Sequence, residues 1–126
     1  MLGINPEPAG IDLSSNDYLG LAAHSALKQR MAAAVMEEGC GATASRLLRG
    51  HRECFASLEH RFATFKGTEA TLYFSSGYLA NLSVLTTFLE ENDVIFSDEF
   101  NHASLIDGLR LSLARRTIFP HCDVDA

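Results

Sequence analysis

Little in this 126-residue chain points to a membrane, a nucleic acid or a disulfide scaffold. No apolar run approaches the length needed to cross a bilayer. Residues 1–10 lack the basic start and apolar stretch of a signal peptide, so a cytoplasmic location is expected. Ten Lys and Arg stand against sixteen Asp and Glu, for a formal net charge of −6. With no basic run, neither nucleic acid nor an anionic membrane is an expected partner. There are only three cysteines, Cys40, Cys54 and Cys122, and no CxxC pair. An odd count at these spacings suggests reduced thiols, and no Cys/His cluster supplies tetrahedral zinc ligands. His121 beside Cys122 is one adjacent pair and reads as incidental. No internal repeat or low-complexity linker is present.

What remains is the composition of a globular protein. Hydrophobic residues make up 47% and charged residues 21%, unlike a disordered chain. A compact chain of this length buries about two-thirds of its extended surface.

The pattern along the chain predicts alternating elements. Residues 1–10 hold Pro6 and Pro8 and form an irregular lead-in. Ile11-Asp12-Leu13 resembles a short strand, followed by a polar turn at Ser14-Ser15-Asn16-Asp17. Ser25 is a candidate N-cap for a helix with Leu27, Met31, Ala34 and Val35 on one face, ending at Gly39. Residues 39–50, with three glycines and several small residues, form a loop. A second helix runs from about Arg52 to Lys66, with Phe55, Leu58, Phe62 and Phe65 as a core stripe and Gly67 as its stop. Then the period changes. Ala70-Thr71-Leu72-Tyr73-Phe74 reads as a strand buried on both faces. A helix follows over 78–90 with Leu79, Leu82, Leu85 and Leu89 inward. Val94-Ile95-Phe96 is a strand, 102–114 a helix and Thr117-Ile118-Phe119 a strand. This β-α-β-α-β order predicts an α/β fold with a parallel sheet.

Ligands of open α/β sheets lie beyond the carboxyl ends of the strands. Two segments meet that condition. Phe74-Ser75-Ser76-Gly77-Tyr78 opens a helix, where free N–H groups and the helix dipole favour an anion such as phosphate. It fits equally a plain strand-to-helix turn with Ser76 as cap. It is not a Walker A loop, and it lacks the spaced glycines of a dinucleotide fingerprint. The second segment is Asp98-Glu99-Phe100-Asn101-His102-Ala103-Ser104. An imidazole at His102 can stack on a flat ligand, donate a hydrogen bond or move a proton near neutral pH. The plainer alternative makes Asn101 the cap and His102 an ordinary polar residue of the first turn. Arg46, Arg49 and Arg52 fit either carboxylate or phosphate recognition or a solvated loop. Asn16 fits a tight turn. His24, His51 and His60 read as surface, and Lys28 and Lys66 as exposed, without the apolar pocket Schiff-base chemistry favours.

Taken together, the motifs resemble one family. Ser14 to Gly20 (Ser-Ser-Asn-Asp-Tyr-Leu-Gly) is followed by Ser45-Arg46-Leu47-Leu48-Arg49-Gly50-His51. Leu58-Glu59, Ser76-Gly77-Tyr78-Leu79-Ala80-Asn81 and Asn101-His102-Ala103-Ser104 come next. In this order and spacing they resemble the N-terminal part of the α-oxoamine synthases from Ile11 onward. These are pyridoxal-phosphate enzymes of fold type I that condense an amino acid with an acyl thioester and release CO2. The resemblance implies pyridoxal 5'-phosphate as cofactor and a homodimer whose subunits build the active site together. It implies backbone donors to the cofactor phosphate at Ser76, Gly77 and Tyr78, and His102 stacked over the pyridine ring as the catalytic residue. It implies substrate contacts at Asn16, Ser45 and Arg46, with residues 45–50 bordering the acyl channel. Residues 1–24 would form an N-terminal arm and 25–126 the first part of the large cofactor-binding domain.

Within the family, the pattern fits best a member that joins L-alanine to a pimeloyl thioester, carried by CoA or an acyl carrier. Leu47 and Leu48 leave an apolar surface suited to a long alkyl chain, where 5-aminolevulinate synthases carry a polar residue in place of Leu47. A 2-amino-3-ketobutyrate ligase remains an alternative, and so does a non-catalytic domain that binds a phosphorylated ligand or a partner. Cys122 replaces the family's usual asparagine. The cofactor lysine, the aspartate paired with the pyridine nitrogen and the C-terminal domain are expected beyond Ala126, and an arginine before Met1. The 126 residues are therefore expected to be inactive alone, to form one wall of a site, and to leave apolar sheet edges and faces uncovered.

Overall fold

The structure, a computed structural model, describes residues 13–125. They fall into two compact units, one ending at His51 and one beginning at Arg52.

In the first unit, Leu21–Ala23 make one 3-10 turn and α1 spans Ser25–Glu38. Asp17 starts the 3-10 turn, its carboxylate accepting from Leu21 N–H at 2.8 Å and Ala22 N–H at 3.1 Å. This charged acceptor satisfies donors that a helix start leaves open. The N-cap of α1 is His24, not Ser25, and no side chain caps it. Ser25 is the first helical residue because the extended backbone falls at His24 (ψ 121°). The helix stops at Gly39 as expected, in a backbone with φ 87° that glycine enters without steric cost. Its apolar face is not buried: Leu27 is half exposed, and Met31 and Val35 are exposed too. The expected strand at residues 11–13 falls largely outside the described residues.

The second unit contains α2 (Glu53–Lys66), α3 (Gly77–Phe88), β1 (Val94–Asp98), α4 (Ala103–Leu111) and β2 (Arg115–Phe119). Gly67 ends α2 in the left-handed region (φ 69°), its N–H returning to the Ala63 and Thr64 carbonyls. β1 and β2 pair in parallel, with Val94 opposite Arg115 and Asp98 opposite Phe119. α4 is the crossover between them, the βαβ unit that parallel pairing requires. α3 packs along α4, tightest at Gly108: a Cβ there would lie 2.7 Å from Leu85 Cδ1. The buried residues Ser104, Gly108 and Leu109 lie on α4, with Ala63 on α2, Ser97 on β1 and Ala114 before β2.

The α/β class and the parallel pairing match the reading of the sequence, but the strand expected at residues 70–74 does not form. Residues 70–74 carry no regular secondary structure. A strand is defined by its partner, and here Tyr73 N–H donates to the Glu59 carboxylate of α2 at 2.7 Å. Thr71 Oγ1 likewise donates to the Glu59 carbonyl at 2.7 Å. The α2 stripe is also only partly core. Phe55 and Leu58 are half-buried, while Phe62 and Phe65 are exposed and Ala63 is the buried position. The expected uncovered sheet faces are present: Phe96 is 70% exposed and Ile118 66%.

Candidate active site

The start of α3 is built by Ser76. Its backbone is extended (φ −153°), and its Oγ accepts the Leu79 N–H at 3.3 Å. Ala80 N–H bonds the Ser76 carbonyl. The N–H groups of Gly77 and Tyr78 have no partner among the described residues. Open space lies at Gly77, where a Cβ would meet nothing within 4 Å. Two such donors at the positive end of a twelve-residue helix could hold an anion. A cavity of about 240 Å³ opens beside it, lined by Leu58, Phe62, Leu72, Phe74 and Ser76 among others.

The start of α4 is built by His102 itself. Asn101, the cap under the plainer alternative, instead donates from Nδ2 to Ser97 Oγ at 3.0 Å. His102 Nδ1 takes the capping place, accepting from Ser104 N–H at 3.2 Å, and lies 2.7 Å from Ser104 Oγ. Nothing in the local sequence separates Asn101 from His102 as cap, since both residues can accept from the first turn.

These two helix starts meet. The Tyr78 and His102 rings lie 6.3 Å apart, edge to face at 71°. Tyr78 OH donates to the Asp107 carboxylate one turn further along α4. That hydrogen bond, chiefly, holds the Tyr78 phenol above its ordinary value of 10.0, with desolvation and the Asp107 charge adding to it. Tyr78 at the start of α3 is thus brought beside His102 at the start of α4, which follows the carboxyl end of β1.

Beside them, His121 Nδ1 donates to Asp98 Oδ2 at 2.9 Å, and its N–H donates to Glu99 Oε1 at 3.0 Å. The Phe100 N–H on Asp98 Oδ1 (2.8 Å) and then His121 hold the Asp98 carboxyl below its usual value. These links join the loops after β1 and β2. His121, incidental by its neighbours in sequence, is engaged across 23 residues, a pairing with no local signal.

Asn16, Ser45 and Arg46 belong to the unit that ends at His51. Asn16 is exposed and accepts from Tyr18 OH at 3.4 Å. The Ser45 carbonyl closes the next turn, accepting from Leu48 N–H at 3.0 Å and Gly50 N–H at 2.9 Å. Gly50 is obligatory there, because a Cβ would lie 1.8 Å from the Ala44 carbonyl oxygen. Arg46 Nη2 lies 3.4 Å from His51 Nδ1. Thr43, with φ 61°, holds a left-handed backbone that a β-branched residue rarely adopts. Leu47 and Leu48 are strongly exposed. Among the described residues no three His, Cys, Asp or Glu side chains gather as a metal site, the three cysteines are free, and no helix is long and apolar enough to cross a membrane.

The solved structures whose fold this chain shares are pyridoxal-phosphate enzymes of fold type I. The chain belongs to the aminotransferase class I and II family, whose model matches residues 8–126. It is 51% identical over 114 residues to 8-amino-7-oxononanoate synthase of Geobacter sulfurreducens, covering 90% of this chain and 29% of that protein. Its fold matches the crystal structure of 8-amino-7-oxononanoate synthase from Francisella tularensis with a TM-score of 0.72 at 33% identity, over 88% of this chain and 31% of that one. It also matches the K265A variant of serine palmitoyltransferase from S. paucimobilis with a bound pyridoxal phosphate–myriocin aldimine, with a TM-score of 0.79 at 29% identity, over 86% of this chain and 28% of that one. The chain therefore spans under a third of the length of the relatives it matches.

Proposed function

We propose that this chain forms part of the active site of a pyridoxal-phosphate-dependent acyltransferase that condenses L-alanine with a pimeloyl thioester, releasing CO2 and giving 8-amino-7-oxononanoate for biotin synthesis. The observation that carries this reading is the 6.3 Å approach of the Tyr78 and His102 rings. One small ligand can then span both helix starts.

The residues fit the cofactor. Unpaired N–H groups of Gly77 and Tyr78 suit a phosphate, with Ser76 capping the same turn. His102, exposed on its outer side, offers a flat ring face to a pyridine. When bound, the cofactor supplies the electron sink for carbon–carbon bond formation and loss of CO2. The chain's own part is to bind its phosphate, orient its ring through His102 and exclude water from one side. Asn16 contacts the substrate carboxylate, Ser45 and Arg46 border the acyl channel, and Leu47 with Leu48 offers apolar surface to a long alkyl chain. Residues 1–24 act as an N-terminal arm, 25–126 open the large domain, and the working enzyme is a cytoplasmic homodimer.

Equilibrium dialysis of the full chain against pyridoxal phosphate tests this. His102→Ala is expected to weaken binding about tenfold, the scale of a lost stacking contact. Unchanged affinity in that variant overturns the stacking role. Assays with alanine, glycine and serine against short and long acyl thioesters fix the substrate pair. A preference for glycine with acetyl-CoA assigns the 2-amino-3-ketobutyrate reaction instead.

A further inference from the structure

His102 is held by a directed chain of hydrogen bonds that starts on α3. Asn81 Nδ2 donates to Ser104 Oγ at 2.9 Å. Ser104 is fully buried, with 0% exposure. An amide NH2 is a donor only, so the Ser104 oxygen accepts from Asn81 and its own hydrogen is left to point elsewhere. An acceptor lies within reach at His102 Nδ1, 2.7 Å away. The Ser104 backbone N–H reaches the same nitrogen at 3.2 Å. Two donors converging on Nδ1 leave no place for a proton there, so the neutral imidazole carries its hydrogen on Nε2.

We infer that Asn81 and Ser104 are positioning residues that lock His102 in the Nε2–H tautomer, so that its outward edge is a hydrogen-bond donor to whatever lies at the two helix starts. The inference rests on the proposed cofactor reading for its purpose, but not for its geometry. Asn81 sits one turn inside the helix whose first N–H groups face the anion seat. The relay therefore ties the orientation of the imidazole to the same helix. A donor at Nε2 suits an oxygen-bearing partner beside the stacked ring, such as the carboxylate of an amino-acid substrate.

The test is the ring-nitrogen NMR spectrum of the full chain without cofactor, at a pH where the imidazole is neutral, with His102 assigned by its loss in His102→Gln. The expected result is an unprotonated-type shift at Nδ1 and a protonated-type shift at Nε2. A proton on Nδ1 in the wild type overturns the inference whatever the variants do. Asn81→Asp turns the amide donor into an acceptor that captures the Ser104 hydroxyl, and Ser104→Ala removes that hydroxyl. Both are expected to leave a mixture of tautomers. Asn81→Leu removes the donor without capturing the hydroxyl and should shift the mixture less than Asn81→Asp. A merely structural role predicts equal effects of the two Asn81 variants, and that equality counts against the relay. Dialysis of wild type against pyridoxal phosphate separates the two ideas: failure to bind sinks the cofactor reading while the tautomer result stands.

Discussion

The two units secure their candidate residues by different means. In the second, the bonds that matter are long in sequence: Tyr78 to Asp107 spans 29 residues, Asn81 to Ser104 23, and Tyr73 to Glu59 14. In the first, the bonds that shape Asp17, Asn16 and Ser45 join residues no more than five apart. Local bonds shape a turn, but they bury little, and the whole of α1 is exposed. The second unit couples side-chain chemistry to packing, whereas the first couples it to backbone geometry. Substitutions should therefore cost stability in the second unit through lost burial, and in the first only where they break the path of the chain.

The largest expected effect comes from the same deletion made in both units. Leu109 on α4 is 5% exposed. Leu109→Ala should destabilise the chain by about 2–5 kcal/mol through lost burial and the cavity left behind. Leu27 on α1 is 50% exposed, and Leu27→Ala should stay within about 0.5 kcal/mol, as surface changes do. Urea unfolding midpoints of the two variants decide the matter. Equal losses would break the contrast between the units. Next in size is Gly50→Ala, the one place where the first unit should respond strongly. The new Cβ would strike the Ala44 carbonyl, and the 44–50 turn must open at about 1–3 kcal/mol, the usual cost of forcing an atom into packed structure. Faster protease cleavage within residues 41–50 would report that opening.

A smaller effect sharpens the account of α2. Glu59→Ala removes the acceptor for Tyr73 N–H and should cost about 1–2 kcal/mol. Glu59→Gln keeps an oxygen in that position and should recover most of the loss. Hydrogen exchange at the Tyr73 amide reads this directly. Equal acceleration in both variants would mean that the carboxylate charge, not the hydrogen bond, holds residues 71–73.

The contrast also marks what was legible in the sequence. Helix ends set by local chemistry were readable: Gly39 and Gly67 stop α1 and α2 because the backbone turns left-handed or extended there. Ser76 capped α3 as the turn implied. Periodicity shows which face of each helix is apolar, but not whether anything among the described residues covers it, so Phe62 and Phe65, expected in the core, are exposed. The 70–74 segment failed for a related reason, since β-rich composition does not supply a partner strand. Within the candidate site, Ser76 to Tyr78 and His102 stand out in the sequence because each opens a helix after a strand-like run. The residues that hold His102 could not. Asn81 and Ser104 are ordinary polar residues until α3 and α4 pack together, and no spacing rule pairs positions 23 apart on different helices.

The smallest expected effect is one of pH, and it tests whether the loops at the strand ends act as one piece. The Phe100 N–H, and after it His121, favour ionised Asp98 in the folded chain and keep its carboxyl below the ordinary value of 3.8. For an acid depressed by folding, the stabilisation is complete above the unfolded value and disappears as pH falls through the folded one. Stability should therefore be flat near neutrality and decline from about pH 5 downward, with Asp98 contributing part of that slope. Asp98→Asn lacks the titrating charge, so its unfolding midpoint should fall less steeply over the same acid range. His121→Ala removes only the second of the two causes and should give an intermediate slope. If both variants track the wild type through the acid range, the Asp98–His121 contact is a surface pairing without consequence, and the loops after β1 and β2 are held by backbone alone.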